Sequence, residues 1–450
     1  MFTLEDLIKA TAGKLISLGE EVFRGASIDT RTITENDLFF ALKGSKRDGH
    51  DFLIEALQKS CGAVISKQAD ISFQNKTVVL VDDTLKALQN LARYLRKKFR
   101  GKVIAVVGSN GKTTTKELIA GMLSKKYKIL KTEGNFNNNI GVPLCLSKIE
   151  HDTEIMVLEL GTNRHGDIKE LCEIVYPDYA VITNIGYEHI EGFGSIEGVR
   201  KGELEILPFV KTVFVNGDDG FLMEGLKDYK GEILTFGLGS QCDFRAEKIN
   251  FYDDYVEFDF CTDILSFPVK TSLTGIYNIY NITAAAAVAT FLGVSKCIVQ
   301  KVSEFFNPVA MRGEIIKING MEIFFDAYNA NPSSMRVALE ELARRKKTRK
   351  AVAVLGDMLE LGEFAPVAHE EIGKWIHELG IEVFVGVGTF MKNALRYVKG
   401  EVFDEPALAA QFLKEQLTGS EIILIKGSRA MKMEQILDIL LEQSKERGKR

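Results

Sequence analysis

Short apolar runs alternate with stretches of helical periodicity through most of the chain. Between about residues 100 and 308 the apolar runs are Val103–Val107, Ile155–Leu158, Tyr179–Thr183 and Val213–Val215. Between them, Thr114–Ser124 and Asp167–Ile174 have apolar residues at helical spacing. This alternation predicts an α/β fold with a parallel sheet and helices on both of its faces. Ligands of such sheets bind beyond the carboxyl ends of the strands, so polar residues that follow the runs are candidates for a site.

The chain on either side of this region has its own pattern. Before it, helical periodicity marks Leu4–Ala12 and Thr84–Lys98, and apolar runs mark Leu38–Leu42 and Ala63–Ser66. After it, the predicted strands and helices are Glu322–Asp326, Pro332–Arg344, Ala351–Leu355, His369–Leu379, Val383–Val387 and Ile422–Ile425. A length of 450 residues favours about three domains. We therefore predict a small α/β domain at 1–98, a central domain at 99–308 and a Rossmann-like α/β domain at 309–450.

Composition and charge narrow the function classes. The formal net charge is only −5, so the chain has no overall basic field and we expect no nucleic-acid partner. Its six cysteines are scattered without a C-x-x-C pair, which indicates neither a disulfide framework nor a zinc site. The first residues lack the pattern of a signal peptide, and no apolar run is long enough to span a bilayer. We expect a cytoplasmic protein without an integral membrane segment.

The most informative motif follows the run Val103–Val107. It reads Gly108, Ser109, Asn110, Gly111, Lys112, Thr113 and Thr114, and a helical pattern comes directly after it. A strand that enters a glycine-rich turn and a helix aims backbone N–H groups at one point, which suits a phosphate. Lys112 would reach the terminal phosphates and the Thr113 hydroxyl would bind Mg²⁺. Position 106 is Val where the common P-loop has glycine, so this is a shorter variant.

Two further strand ends carry groups that suit a metal ion. The run Ile155–Leu158 is followed by Glu159, and the run Tyr179–Thr183 is followed within a few residues by His189. A carboxylate is a natural partner for the magnesium ion of a bound nucleotide, whereas imidazole is an unusual one. The alternatives are a helix-capping role for Glu159 and a structural role for His189.

Asparagine-rich and polar loops supply further candidates. Four of the five residues Asn135–Asn139 are asparagines, which offer amide groups to a polar ligand or form Asx turns. Asn278 and Asn281 precede a predicted alanine-rich helix, Thr283–Phe291, as caps or as groups that contact a base. The segments 27–31 and 43–50 would form either a loop site for an anionic group or ordinary loops.

Three C-terminal motifs complete the pattern: Asp326–Pro332, Leu355–Gly362 and Lys426–Arg429. With the short P-loop, they resemble the Mur ligase family over all three predicted domains. They are most similar to the members that add D-alanyl-D-alanine to UDP-N-acetylmuramoyl-tripeptide. The resemblance implies an ATP-dependent amide ligase of peptidoglycan precursor synthesis that works through an acyl phosphate. We expect a monomer; the sequence leaves open whether the tripeptide ends in diaminopimelate or lysine.

The resemblance also implies roles for individual residues. The group expected to bind the UDP-linked substrate is Ser27, Thr30, Arg31, Lys43, Asp48, Gly49, His50, Asn135, Asn137 and Asn138, and the substrate residues expected in the C-terminal domain are Tyr328, Asn329 and Asn331. Residues expected to contact ATP, besides the P-loop, are Asn278, Asn281, Arg312 and Asp326. Glu159 and His189 would bind magnesium, and Lys201, carbamylated by CO₂, would support a second Mg²⁺. The catalytic set is therefore Lys112, Glu159, His189 and Lys201.

One departure and three rival functions qualify this interpretation. Tyr277 stands where the family usually has His, which affects the adenine contacts. The rivals are a family member that adds a single amino acid, a P-loop kinase and a non-catalytic GTP switch. The Tyr328–Pro332 and Leu355–Gly362 segments argue against the first, and the absence of an N-K-x-D motif argues against the last. His369 is one candidate for the base that deprotonates the incoming amine.

Overall fold

Three parallel-rich sheets follow one another along the chain, each covered by the helices that connect its strands. The computed structural model describes residues 1–68 and 75–447, with side chains up to residue 442. This three-domain α/β architecture agrees with the predicted fold class. We refer to the parts of the chain that carry the three sheets as the N-terminal, central and C-terminal domains.

The N-terminal sheet has five strands in the order β2-β7-β6-β5-β4. Strands β4 to β7 run parallel, and β2 runs antiparallel to β7. The strands of this sheet are β2 Lys14–Ser17, β4 Gly25–Ser27, β5 Asp37–Phe40, β6 Gly62–Ile65 and β7 Thr77–Leu80, and the helices are α1 Leu4–Thr11, α2 Leu53–Lys59 and α3 Thr84–Lys98. Two further short strands, β1 Phe2–Thr3 and β3 Val22–Phe23, pair with each other in an antiparallel ribbon. The carboxyl ends of β4, β5 and β6 therefore share one edge of this sheet.

The central sheet has nine strands in the order β16-β15-β14-β13-β12-β11-β8-β10-β9. Its strands are β8 Lys102–Val107, β9 Ile129–Lys131, β10 Ile155–Glu159, β11 Tyr179–Ile182, β12 Thr212–Asn216, β13 Glu232–Gly237, β14 Phe244–Phe251, β15 Val256–Cys261 and β16 Ser266–Thr271. Its helices are α4 Lys112–Leu123, α5 Gly141–Leu146, α6 Asp167–Val175, α7 Ile190–Phe193, α8 Ile196–Glu203, α9 Gly220–Glu224, α10 Ile276–Phe291 and α11 Lys296–Glu304. Because β8 lies between β10 and β11, the ends of these three strands are neighbours.

Apolar cores lie on both faces of the central sheet. Helices α4 and α10 contribute to the core on one face, and α3, α5 and α6 contribute to the core on the other. Strand β8 is buried from Val103 to Val107, as expected for a parallel strand covered on both sides. This burial explains why the strand is an uninterrupted apolar run in the sequence.

The C-terminal sheet has six strands in the order β17-β18-β22-β19-β20-β21, parallel except for β17. Its strands are β17 Glu314–Ile318, β18 Met321–Asp326, β19 Ala351–Gly356, β20 Val383–Val387, β21 Gly400–Phe403 and β22 Ile422–Lys426. Its helices are α12 Pro332–Lys346, α13 Ala365–Glu378, α14 Pro406–Gln416 and α15 Glu434–Arg447. The adjacent ends of β18, β22 and β19 carry the three C-terminal motifs.

Several contact regions hold the C-terminal domain against the central domain, including one at each end of α12. At the far end of α12, Arg345 donates a hydrogen bond to the backbone oxygen of Asp253, at 3.1 Å, in the turn between β14 and β15. Near the P-loop, the Asn331 amide donates to the side-chain oxygen of Asn110 at 2.9 Å. The space between these regions forms the candidate site.

The structure differs from the sequence prediction in several elements, of which two bear on the site or the central sheet. Helix α10 begins at Ile276 and not at Thr283, so Asn278 and Asn281 lie inside its first turns and do not cap it. The antiparallel strands β14 to β16 were not predicted, because their alternating, half-buried pattern lacks the continuous apolar run that marks the other central strands. Among the described helices, none has the length and apolar character needed to cross a bilayer.

Candidate active site

A cavity of about 800 Å³ lies between the central and C-terminal domains. The central domain contributes the P-loop, the asparagine-rich loop and the segments after β10 and β11. The C-terminal domain contributes the segments after β18, β19 and β22. The cavity thus collects the carboxyl ends of strands from two sheets, which is where parallel sheets bind ligands.

The P-loop has the geometry of a phosphate site. Gly108 and Gly111 have φ angles of 115° and 82°, a region that favours glycine. A Cβ atom on Gly111 would lie 2.3 Å from the side-chain oxygen of Asn281, so that glycine also permits a close approach. Helix α4 begins at Lys112 without a side-chain cap, which leaves its first N–H groups for an anion.

Three buried carboxylates surround Lys112. The lysine Nζ donates to the backbone oxygen of Gly108 and lies 3.3 Å from Glu188. Burial alone would lower the pKa of Lys112, but the negative charges of Glu188, Glu203 and Glu159 outweigh it and raise this pKa. The lysine is therefore a permanent cation in the cavity.

Each of these carboxylates has one buried oxygen without a hydrogen-bond partner among the described residues. The other oxygen of Glu159 accepts from Asn137 at 2.9 Å, and that of Glu203 accepts from the Gly108 N–H at 2.8 Å. Burial, with the neighbouring charge of Glu203, raises the pKa of Glu188 to about 8. Such orphaned oxygens suit a cation or a donor supplied by a ligand.

A magnesium ion fits this chemistry with few protein ligands. Within residues 1–68 and 75–447, no three His, Cys, Asp or Glu side chains come together as a complete metal site. Magnesium commonly takes one or two protein ligands and completes its shell with water and phosphate oxygens. The free oxygen of Glu159 and the Thr113 hydroxyl, both on the cavity wall, are suitable donors.

His189 lines the cavity and has a left-handed backbone, with a φ of 47°. Its Nδ1 contacts the carboxylate of Glu360 from the C-terminal domain. Burial lowers the pKa of His189 despite the opposing effect of Glu360. The imidazole is therefore neutral at neutral pH and retains the lone pair that a metal ligand needs.

Some predicted residues do not reach the cavity. Lys201 lies on α8 with an exposed side chain and is not part of the cavity wall. Asn278 is buried, donates to the Thr274 oxygen at 2.8 Å and accepts from Asn281 at 3.1 Å. Asn281 does line the cavity. The sequence alone could not separate these two asparagines, since they lie three residues apart on one helix.

Other predicted residues line the cavity but already have partners within the chain. Asn138 accepts from the N–H groups of Ile140 and Gly141 at the start of α5. The Arg312 guanidinium lies 3.8 Å from the ring centroid of Tyr328. Asp326 is paired with Lys426 at 2.5 Å. Asn135 and Asn329 are further cavity residues.

The predicted substrate residues of the N-terminal domain lie apart from this cavity, at or after the carboxyl ends of β4 and β5, and some of them form a cluster around Asp48. Around Asp48, the His50 imidazole and Lys67 both lie within ion-pair distance, and the nearby Ser66 N–H donates to the far nitrogen of His50 at 3.0 Å. Lys67 is the main cause of the lowered pKa of Asp48. The other predicted substrate residues of this domain are Ser27, Thr30, Arg31, Lys43 and Gly49. None of them lines the cavity described above.

Sequence reasoning missed four residues of the site. Glu188 and Glu203 face Lys112, Asn184 accepts from the Asn110 N–H at 3.1 Å, and Glu360 contacts His189. Glu188 adjoins His189, and Asn184 directly follows a predicted strand. The position of each residue in the sequence could therefore have indicated a place in the site. Glu203 and Glu360 lie inside helical or loop segments, where a single glutamate is not distinctive.

Comparison with known proteins gives a consistent result across the chain. Three family models match: "Mur ligase family, catalytic domain" at residues 22–96, "Mur ligase middle domain" at 106–289 and "Mur ligase, glutamate ligase domain" at 311–429. The UDP-N-acetylmuramoyl-tripeptide--D-alanyl-D-alanine ligase of Bacillus subtilis is 34% identical, and the match covers 98% of each chain.

Solved structures show the same likeness. A crystal structure of MurF from Acinetobacter baumannii superimposes with a TM-score of 0.90 at 32% identity, over 98% of this chain and 99% of that one. The MurF ligase of Thermotoga maritima, solved in complex with ADP, gives a TM-score of 0.82 at 30% identity, over 94% of this chain and 98% of that one. The similarity extends over all three sheets.

Proposed function

The chain belongs to the Mur ligase family, and on this premise we propose that it joins D-alanyl-D-alanine to UDP-N-acetylmuramoyl-tripeptide at the expense of ATP. It is an ATP-dependent amide ligase of peptidoglycan precursor synthesis. The observation that carries the proposal is the cavity in which Lys112, Glu159 and His189 of the central domain face the C-terminal motifs. We propose that it acts as a monomer in the cytoplasm, where ATP and UDP-linked sugars are made.

The first step activates the tripeptide carboxylate. Lys112 and the free N–H groups of α4 bind the triphosphate and hold its γ-phosphoryl group toward the cavity. Magnesium, held by the Thr113 hydroxyl, Glu159 and His189, would neutralise the charge between the two anions. A carboxylate oxygen then attacks the γ-phosphorus, ADP leaves, and the product is an acyl phosphate.

The second step forms the amide. The amine of D-alanyl-D-alanine attacks the acyl carbon, and phosphate leaves. The segment that contains Tyr328, Asn329 and Asn331 lines the cavity on the C-terminal side, next to the P-loop, and is the proposed binding surface for the dipeptide. Enclosure of the site between two domains excludes the water that would hydrolyse the acyl phosphate. His369 is not the proposed base, because it is fully buried away from the cavity.

We propose the remaining contacts from the polar clusters described above. We assign the UDP end of the first substrate to the N-terminal cluster around Asp48 and His50, and Asn135 and Asn137 to its peptide end. The further residues that we propose to contact ATP, besides the P-loop, are Asn281, Arg312 and Asp326. The buried Tyr277 hydroxyl has no hydrogen-bond partner in the part of the chain that the structure describes, and we propose that it bonds to the adenine end.

We further propose that Lys201 is carbamylated and supports a second Mg²⁺. Carbamylation adds CO₂ to a neutral amine and turns the lysine into an anion. Lys201 and Glu203 lie two residues apart on α8, so their side chains leave the helix in nearly opposite directions, and Glu203 is the one that reaches the P-loop at Gly108. The Lys201 side chain is exposed and open to CO₂, and α8 has to rotate or shift for the carbamate to enter the cavity when the substrates bind.

The proposed function is tested by phosphate release from ATP in the presence of UDP-N-acetylmuramoyl-tripeptide. We expect release with D-alanyl-D-alanine and little with single amino acids such as glutamate. Phosphate release that is faster with a single amino acid would assign the chain to another activity of the family. ATP consumption without any amine would favour a kinase.

A further inference from the structure

Glu360 connects the C-terminal domain to the central domain through both its backbone and its side chain. It lies in the loop after β19, in the motif Leu355–Gly362. Its backbone oxygen accepts a hydrogen bond from the Glu191 N–H at 3.1 Å, and its carboxylate contacts Nδ1 of His189. No role for this glutamate followed from the sequence.

The backbone on both sides of this contact has an uncommon conformation. His189 and Glu360 have φ angles of 47° and 63°, a left-handed region that residues with a Cβ atom rarely adopt. Such conformations persist where the surrounding structure enforces them, and they concentrate at functional sites. Both residues of this contact therefore lie on backbone that the surrounding structure holds in an uncommon conformation.

The loop that carries Glu360 is held firmly by its own domain. The Leu359 N–H donates to the Ser428 hydroxyl at 2.9 Å, and the Met358 N–H donates to Nε2 of the buried His369 at 3.0 Å. Beyond the loop, Phe364 stacks on Tyr187 of the central domain, with ring centroids 5.1 Å apart. The position of Glu360 thus follows the position of the whole C-terminal domain.

We propose that Glu360 is a positioning residue that orients His189 for magnesium binding once the C-terminal domain packs against the central domain. A histidine that binds a metal through one ring nitrogen commonly donates its other N–H to a carboxylate, which fixes the ring and its tautomer. Contact at Nδ1 leaves Nε2 for the cavity. The inference rests on the proposed function, since it takes His189 as a magnesium ligand.

The inference predicts a metal-binding defect that is separable from nucleotide binding. Mn²⁺ serves as the probe, and its affinity is measured by electron paramagnetic resonance in the presence of saturating ADP. We expect Glu360→Ala to weaken Mn²⁺ binding about tenfold while the affinity for ADP without metal stays at the wild-type value. Glu360→Gln, which keeps a hydrogen-bond acceptor, should recover part of the loss.

Two controls separate this role from a structural one. Glu363 is exposed in the same segment and makes no hydrogen bond or ion pair within the described residues, so Glu363→Ala should bind Mn²⁺ as the wild type does. In a His189→Ala background, Glu360→Ala should have no further effect on Mn²⁺ affinity, because the two residues act as one unit. Thermal unfolding of each variant checks that the fold is retained.

Wild-type Mn²⁺ affinity in Glu360→Ala would overturn the inference. An undiminished Glu360→Ala effect in the His189→Ala background, or an equal loss of metal-free ADP binding, would overturn it too. Failure of the proposed function is distinguishable, because it shows as missing phosphate release with D-alanyl-D-alanine while the Mn²⁺ measurements still give the predicted pattern.

Discussion

The two proposed magnesium ligands are held by different parts of the molecule. Glu159 ends a central strand, its N–H donates to the Thr132 hydroxyl at 2.9 Å, and its carboxylate accepts from Asn137. His189 lies in a loop, and its imidazole partner, Glu360, belongs to the C-terminal domain. One ligand is thus prepared within the central domain, whereas the other gains its partner only when two domains meet.

The support beneath Glu159 reaches deep into the central domain. Lys116 is fully buried on α4, donates to the backbone oxygen of Thr132 at 2.7 Å and pairs with Glu117 at 2.6 Å. A buried lysine is tolerated only when it is paired and hydrogen-bonded. The comparison teaches that the Glu159 side of the proposed metal site is held within the central domain, while the His189 side depends on domain packing.

The largest expected effect comes from replacing Lys112, the buried cation of the P-loop. Lys112→Ala should reduce ATP-dependent phosphate release by at least about 10²-fold, because it removes the positive group that stabilises the transferring phosphoryl charge. Lys125 is exposed just after the end of α4, and Lys125→Ala is the matched control. Turnover at the wild-type rate in Lys112→Ala would remove the P-loop from the account.

The second largest effect on activity is expected from replacing Lys201 on α8. If Lys201 carries a carbamate, Lys201→Ala should lose most of its activity, and a short-chain carboxylic acid should restore part of it by replacing the lost anion. Phosphate release with and without the added acid is the measurement. Full activity of the wild type without added mass on Lys201 would contradict the carbamate.

The Glu159 side of the proposed metal site is tested by a change remote from the ligands. Lys116→Met keeps the length of the side chain but removes its charge, so Glu117 retains only Lys131 and the Thr132 oxygen loses its donor. We expect the free energy of unfolding to fall by about 3 kcal/mol, as for other broken buried ion pairs. Urea denaturation measures it, and a loss below about 1 kcal/mol would show that Lys116 does not support this region.

The smallest expected effect concerns pH and the loop behind Glu360. Burial lowers the pKa of His369. Its Nε2 accepts a hydrogen bond from the Met358 N–H, and a protonated Nε2 could not accept that bond. The unfolded chain binds this proton near pH 6.5 and the folded chain does not, so stability should decline as pH falls below about 6.5. Urea denaturation from pH 7.5 to 5 should show a shallower decline in His369→Gln; an unchanged slope would exclude His369 as its source.

Much of this architecture was predictable because local pattern and burial agree. The helix Thr84–Lys98 and the strand Val383–Val387 have the predicted bounds, since an amphipathic stripe and a buried run are strong signals. The positions of Lys112, Glu159 and His189 at neighbouring strand ends followed from the topology of parallel sheets.

The rest depends on long-range packing that no local pattern encodes. The His189 and Glu360 contact joins two domains through loops, and the exposure of Lys201 depends on which face of α8 is buried. Asn278 and Asn281 differ only in where α10 directs them. The sequence therefore predicted the groups of the site better than their partners.

The central claim is that domain packing completes a metal and triphosphate site around Lys112. Its most direct test is a crystal structure of the chain with Mg²⁺ and a non-hydrolysable ATP analogue. We predict that the triphosphate contacts Lys112, that the metal contacts Glu159 and His189, and that Glu360 contacts Nδ1 of the His189 ring. A metal bound away from His189, with the C-terminal domain packed as it is here, would contradict it.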